Sequence, residues 1–278
     1  MRYFILFIAV VVANNLFAQD ITSKSYVSIN AGGGLHGLTY DLPEGSSRDI
    51  KFNFSTNASY HYSINKSWSI GTGINFSKYS TTFKLGSYGY SYDAVDIDND
   101  PYKMNIAVNG LKEKQSATFL EIPITARYHF PLNSKLDLWV GAGFSIGFLT
   151  SAKYEVESGS ITTTDYYEQY DWTIKDYPSK GFYATNISGE STDLSLKTPF
   201  SVLGEVGIRF SLTQNRFLSA NLYGSYCLND INDEKSMESK LIKLENNHIY
   251  YNGLIASGLA DNIKLFSLGL KLGVGFSF

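Results

Sequence analysis

Residues Phe266 to Phe278 read FSLGLKLGVGFSF. Phe266, Leu268, Leu270, Leu272, Val274, Phe276 and Phe278 alternate with Ser267, Gly269, Lys271, Gly273, Gly275 and Ser277. Successive side chains of a strand point to opposite faces, so this stretch has one wholly apolar face and one small or polar face carrying a lysine. A soluble sandwich turns its apolar face inward; a membrane barrel turns it to lipid and keeps the polar face for its lumen.

Working outward, the same period recurs seven times. Tyr26 to Leu35 is the first segment, and the second has Phe52, Phe54, Ala58, Tyr60 and Tyr62 alternating with Asn53, Ser55, Asn57, Ser59 and His61. Trp68 to Phe76, Thr118 to Phe130, Leu136 to Phe148, Phe200 to Leu212 and Leu218 to Leu228 follow. Pro123 lies inside the fourth and predicts a bulge or break, because proline donates no ladder hydrogen bond. Links after segments two, four and six are short polar turns; those after one, three, five and seven run over 37–50, 78–116, 150–199 and 229–262. Short links at one end and long ones at the other predict an all-β fold: an eight-stranded antiparallel up-and-down transmembrane β-barrel with long extracellular loops and both termini periplasmic. Extension of segments five and six through loop three would make ten strands.

Aromatic placement gives a second line of argument, since barrel aromatics gather at the two membrane interfaces. Tyr62, Trp68, Tyr128, Phe130, Phe210 and Phe276 fall at the turn end of the apolar faces, and Phe52, Phe76, Phe148, Phe200 and Phe266 at the loop end, with Ala58, Ile70, Ile122, Ile124, Val140 and Leu270 between. Upstream, Met1-Arg2, the apolar run Tyr3 to Ala13 and the small Ala18 read as a cleaved secretory signal, residues 1–18, leaving 19–278 as one barrel domain. With Cys227 as the sole cysteine there is no intramolecular disulfide, and a net charge of −3 with no basic cluster argues against nucleic acid.

The chain resembles the outer-membrane β-barrel proteins of Bacteroidetes, in particular the PorT-like family. The likeness rests on Phe17-Ala18-Gln19, on Phe119-Leu120-Glu121-Ile122-Pro123-Ile124, on Gly-x-Gly pieces such as Gly141-Ala142-Gly143, and on the terminal Phe278. It implies outer-membrane location and, through the aromatic C-terminus, recognition by the barrel-assembly machinery. Such barrels serve as anchors, adhesins and secretion components, so the resemblance implies little about a ligand.

Candidate chemistry divides between lumen and loops. Glu121, Arg127, Asp137, Glu205, Arg209 and Lys271 fall on inward faces, with Lys51 counted beside them, and eight strands leave an interior that side chains fill. The spacing across Pro131 predicts an Arg127–Asp137 pair, and the filled lumen disfavours a diffusion pore. His36, read as the rim histidine, with Ser46, Ser47 and Asp49, is the only candidate for a rim-active hydrolase or acyltransferase on lipid; the preferred reading has no catalytic residues and no cofactor. Asp96-Ile97-Asp98-Asn99-Asp100 has the spacing of a calcium-loop start but has Pro101 in place of the required glycine and Ala107 at the twelfth position, so no metal site is assigned. Tyr166, Tyr167, Tyr170 and Trp172 in loop three form a candidate binding surface. The expectation is an integral surface-exposed binding or structural barrel, in contact with outer-membrane lipid and lipopolysaccharide, whose loops take an extracellular protein or glycan. A lipid-modifying enzyme or a secretion component is the alternative.

Overall fold

The computed structural model describes residues 25–96, 98–189, 191–233, 240–245 and 248–278; the signal-peptide reading lies outside them. Its strands are β1 (Ser25–Asp41), β2 (Ser46–Ile50), β3 (Phe52–Ser63), β4 (Trp68–Val95), β5 (Pro101–Pro131), β6 (Leu136–Tyr167), β7 (Trp172–Ile174), β8 (Ala184–Asn186), β9 (Ser191–Asp193), β10 (Phe200–Ser211), β11 (Arg216–Cys227), β12 (Ile242–Glu245), β13 (His248–Tyr251) and β14 (Asp261–Ser277). Among the described residues no helix is long and apolar enough to cross a membrane.

Eight of them pair in a ring, β1–β3–β4–β5–β6–β10–β11–β14 and back to β1, every pair antiparallel. A path stepped from partner to partner leaves β1 at Val27 and returns to it at Gly37. A stagger of that size with eight strands tilts them by about 40° and leaves an interior just wide enough for side chains. Closure removes the unpaired edges that an open sheet would present.

Three tight turns share one device. Asn65 Oδ1 accepts from the backbone N–H of Ser67 and Trp68 (2.9 and 2.8 Å), and Asn133 Oδ1 from Lys135 and Leu136 (both 2.9 Å). Thr213 Oγ1 accepts from Arg216 N–H at 3.1 Å. Each side chain stands in for a backbone acceptor, which is why Asn and Thr occupy these places.

Two of the links read from sequence as loops are largely sheet. β4 and β5 run on as one long hairpin over most of 78–116, and β6 continues to Tyr167. The ten-strand alternative fails there, because the continued β6 shows Lys153, Glu155 and Glu157 outward and so offers lipid nothing apolar. At Pro123 the register does not shift, as Pro123 stays opposite Ser145. Its carbonyl accepts from the Thr72 hydroxyl at 2.9 Å, and the β4–β5 ladder is interrupted beside it at Gly73 and Ile74. The bulges fall farther along, near Thr118/Phe119 and Asn109/Lys112.

The ring therefore has two storeys. In the lower one, apolar side chains such as Ile29, Ile74, Ile124, Leu222 and Leu272 are exposed on the outside while Ser28, Asn30, Ser59, Glu121 and Lys271 are buried within. In the upper one, Leu38, Phe83, Leu85, Met104, Ile106, Val108, Phe119 and Val156 are buried inside, joined by Phe182, Ile187, Leu194, Ile231, Ile242 and Leu254 from the incoming links.

Candidate functional site

Inward positions of the lower storey pack large polar groups against glycine. A Cβ on Gly207 would lie 2.2 Å from the Trp139 ring, and one on Gly71 would lie 2.1 Å from His61 Nδ1. Glycine is needed at these places for close approach, which accounts for the Gly-rich polar faces of the strands.

The charged groups inside the lower storey pair along the β5, β6 and β10 registers. Arg127 Nε donates to Glu205 Oε1 at 2.6 Å, and the guanidinium lies 4.0 Å from the centre of the Trp139 ring. Asp137 Oδ2 instead accepts from Arg209 at 2.7 Å and faces His129 Nδ1 at 2.8 Å. The expected Arg127–Asp137 pair is absent because the register sets Asp137 opposite Pro131 and Arg127 opposite Gly141. Glu205, on β10, is the neighbour that a reading confined to the β5–β6 hairpin missed. Farther up, Glu121 accepts from Tyr79 Oη at 2.6 Å, Ser77 Oγ at 3.2 Å and Asn75 Nδ2, while Lys271 Nζ donates to Asn75 Oδ1 at 2.9 Å and lies 4.3 Å from the Tyr223 ring centre. Lys51 does not join this network; it is exposed at the loop end.

A cavity of about 80 Å³ remains between Glu121, Arg127, Glu205, Asn221 and Lys271. That is space for several waters, each with polar partners, and too little for a solute. Above it the apolar upper storey closes the ring, and below it Tyr26 packs between His61 (4.9 Å, stacked) and Phe217 (5.8 Å, edge-on).

His36 is fully buried, not at a rim. Nε2 meets Tyr223 Oη at 2.5 Å and Nδ1 meets the Lys78 carbonyl at 3.2 Å. Ser46 Oγ donates to the Pro43 carbonyl and Asp49 pairs with Lys84, so the sequence neighbours of His36 do not gather around it. The acidic tip is likewise used structurally. Asp96 Oδ1 accepts from the N–H groups of Asp98 and Asp100 (both 2.9 Å), its Oδ2 from Tyr167 Oη at 3.0 Å, and Asp100 Oδ2 from Tyr170 Oη at 3.3 Å. Among the described residues no group of three or more His, Cys, Asp or Glu side chains is placed to hold a metal.

Of the aromatic surface, Tyr167 is buried and Tyr166 half-buried with its hydroxyl on Asp171 Oδ1 at 3.0 Å. Tyr170 and Trp172 are each 61% exposed, and Tyr177 and Tyr250 are exposed with them.

A closed ring of eight antiparallel strands with a lipid-compatible exterior and a polar, filled interior is the architecture of outer-membrane barrels. Residues 17–278 match the outer membrane protein beta-barrel domain family. The chain belongs to that family. Membership carries location in the outer membrane. Among solved structures the chain is similar to neisserial surface protein A (13% identity, TM-score 0.40, covering 91% of this chain and 97% of that one). It is also similar to OprG from Pseudomonas aeruginosa (10%, 0.40, 92% and 96%) and to outer membrane protein W of E. coli (12%, 0.36, 93% and 100%). No curated protein matches the sequence.

Proposed function

We propose that this outer-membrane barrel is a sealed, non-catalytic scaffold that presents its long-loop end outside the cell, with both termini in the periplasm, and binds an extracellular protein or glycan there. The observation that carries this reading is the upper storey: three barrel strands continue well past the aromatic band, enclose an apolar core of their own, and leave Tyr170 and Trp172 exposed at the far end. A barrel that only needed to sit in a bilayer would not require that core. Tyrosine and tryptophan supply contact area with a polar handle, which suits a recognition surface. The filled lumen supports a scaffold over a conduit.

The test replaces residues 168–173, which contribute no side chain to the apolar core, with a Gly-Ser turn; a cut from 159 to 190 would remove Ile161, Phe182 and Ile187 from that core. Crosslinking on intact cells should recover a surface partner from the native chain and not from the variant, with both barrels equally folded on unheated gels. Purified protein in liposomes should pass neither ions nor sugars. Solute passage, or turnover of lipid or peptide by the purified chain, would sink the proposal.

A further inference from the structure

Above the aromatic band the outward face of β3 to β6 changes from apolar to basic. Lys78 follows Phe76 by two residues on β4, Lys51 directly precedes Phe52, and Lys114 lies six residues beyond Leu120 on β5. The register sets Lys114 opposite Thr82 and Glu155, Lys153 opposite Ser116, and Lys84 opposite Lys112, so these side chains share one face. At 3.3 Å per residue and a tilt of about 40°, the strip rises from the headgroup level to roughly 15–20 Å above it.

Its charge is only partly compensated. Lys84 pairs with Asp49 at 2.5 Å and Lys112 with Glu157 at 2.6 Å. Lys51, Lys78, Lys114 and Lys153 are exposed and form no ion pair among the described residues. Lys51 and Lys112 both lie within electrostatic reach of Asp49 and Glu157, while Glu155 stands opposite Lys114 and Asp193 opposite Lys153, so the six lysines of the strip face four acids and keep an excess of positive charge. Lysine is a point-charge ligand for phosphate, and a leaflet surface is where phosphate is found.

We propose that this strip is a docking site for lipopolysaccharide, with Lys51 and Lys78 meeting the phosphate at headgroup height and Lys153 and Lys114 meeting anionic groups of the inner core above it. The height selects the ligand: a glycerophospholipid offers one phosphate at the surface and nothing for the upper lysines. The inference rests on the orientation proposed above, since the strip faces the outer leaflet only if the long-loop end is outside.

The test uses the full chain in neutral detergent and a fluorescent, phosphorylated lipopolysaccharide with a short inner core, read by anisotropy. K51Q/K78Q/K114Q/K153Q should bind at least tenfold more weakly while its unheated gel mobility stays that of the folded barrel, and phosphatidylglycerol should bind tenfold more weakly than the glycolipid to the native chain. Native binding should also fall more than tenfold between 50 and 500 mM salt, which tests the charge argument should the fourfold variant fail to fold. Affinity within twofold in the folded variant, a flat salt response, or equal binding of phosphatidylglycerol would overturn the proposal. Biotinylation of the same lysines on intact cells with a membrane-impermeant reagent reports the orientation separately. Labelled lysines with no glycolipid binding refute the site alone, and unlabelled lysines in cells lacking surface glycolipid refute the orientation.

Discussion

Phe76 and Phe83 stand seven residues apart on one continuous strand, yet the first is 47% exposed and the second fully buried. Below that point β4 shows Ile70, Ile74 and Phe76 outward and Ser69, Gly71, Asn75 and Ser77 inward; above it, Lys78 and Lys84 are outward and Tyr79, Phe83 and Leu85 inward. β5 inverts at the corresponding level, with Leu120, Ile122 and Ile124 outward below and Ala117, Phe119 and Leu111 inward above. One pleated backbone serves both storeys. What changes is the solvent outside the ring, and the chain exchanges its faces where lipid gives way to water.

The lower interior is polar, so its integrity should depend on charge pairing. Arg127→Ala leaves Glu205 buried without its cation and is expected to cost about 3–5 kcal/mol, read as urea unfolding in micelles. Adding Glu205→Ala should cost clearly less than the two single changes together, whereas adding Asp137→Ala should be close to additive. Coupling of Arg127 to Asp137 in place of Glu205 would refute the pairing.

The exterior offers a sharper contrast on a single face. Ile74→Lys in the middle of the band is expected to cost about 2–4 kcal/mol, because the ammonium must sit in hydrocarbon. Lys84→Ile, ten residues along the same outward face, removes an ion pair whose partners are each 47% exposed and should change stability by no more than about 0.5 kcal/mol. Similar costs at both positions would mean that the boundary between the storeys is misplaced.

The lower storey was legible in the sequence because its signal is local. Alternation of period two, the short turns and the two aromatic bands require nothing beyond neighbours in sequence, and they specify eight strands. The upper storey was not. At Gly86 and Gly110, the latter with φ of +60°, the buried side of the hairpin passes from Phe83, Leu85, Leu111 and Glu113 to Tyr88, Tyr90, Val108, Ile106 and Met104. A bulge re-phases β6 between Phe148 and Ala152 in the same way. Such phase changes break the alternation that a sequence reading follows, so continued strand reads as loop. The partner of Arg127 escaped for a related reason: Glu205 reaches it from β10 past Gly141 of β6, and that proximity depends on the pairing of β6 with β10, which the long link 150–199 separates in sequence.

The most local expected effect concerns Glu113, a carboxylate enclosed by the upper core. Glu113 is completely buried; its Oε1 accepts from Gln115 Nε2 at 2.6 Å, and its Oε2 accepts from Tyr251 Oη and from Leu254 N–H at 3.0 Å. Burial pushes its pKa above the ordinary carboxylate value, and these donors offset only part of that shift. The folded chain therefore holds this proton more tightly than the unfolded chain. The stabilisation is fully present below the unfolded pKa, near 4.3, and is lost as pH rises through the higher folded value. What loosens should be local, because Glu113 fastens the 251–254 segment to β5. Amide exchange of residues 250–255, corrected for intrinsic rate, should lose protection as pH rises from 5 to 8. Glu113→Gln keeps an acceptor for Tyr251 and Leu254 and removes the ionisation, so its exchange should be flat over that range while the lower barrel is unaffected. An unchanged pH dependence in the variant would show that the upper core tolerates a charged carboxylate, and the contrast between the two interiors would then lie in packing alone.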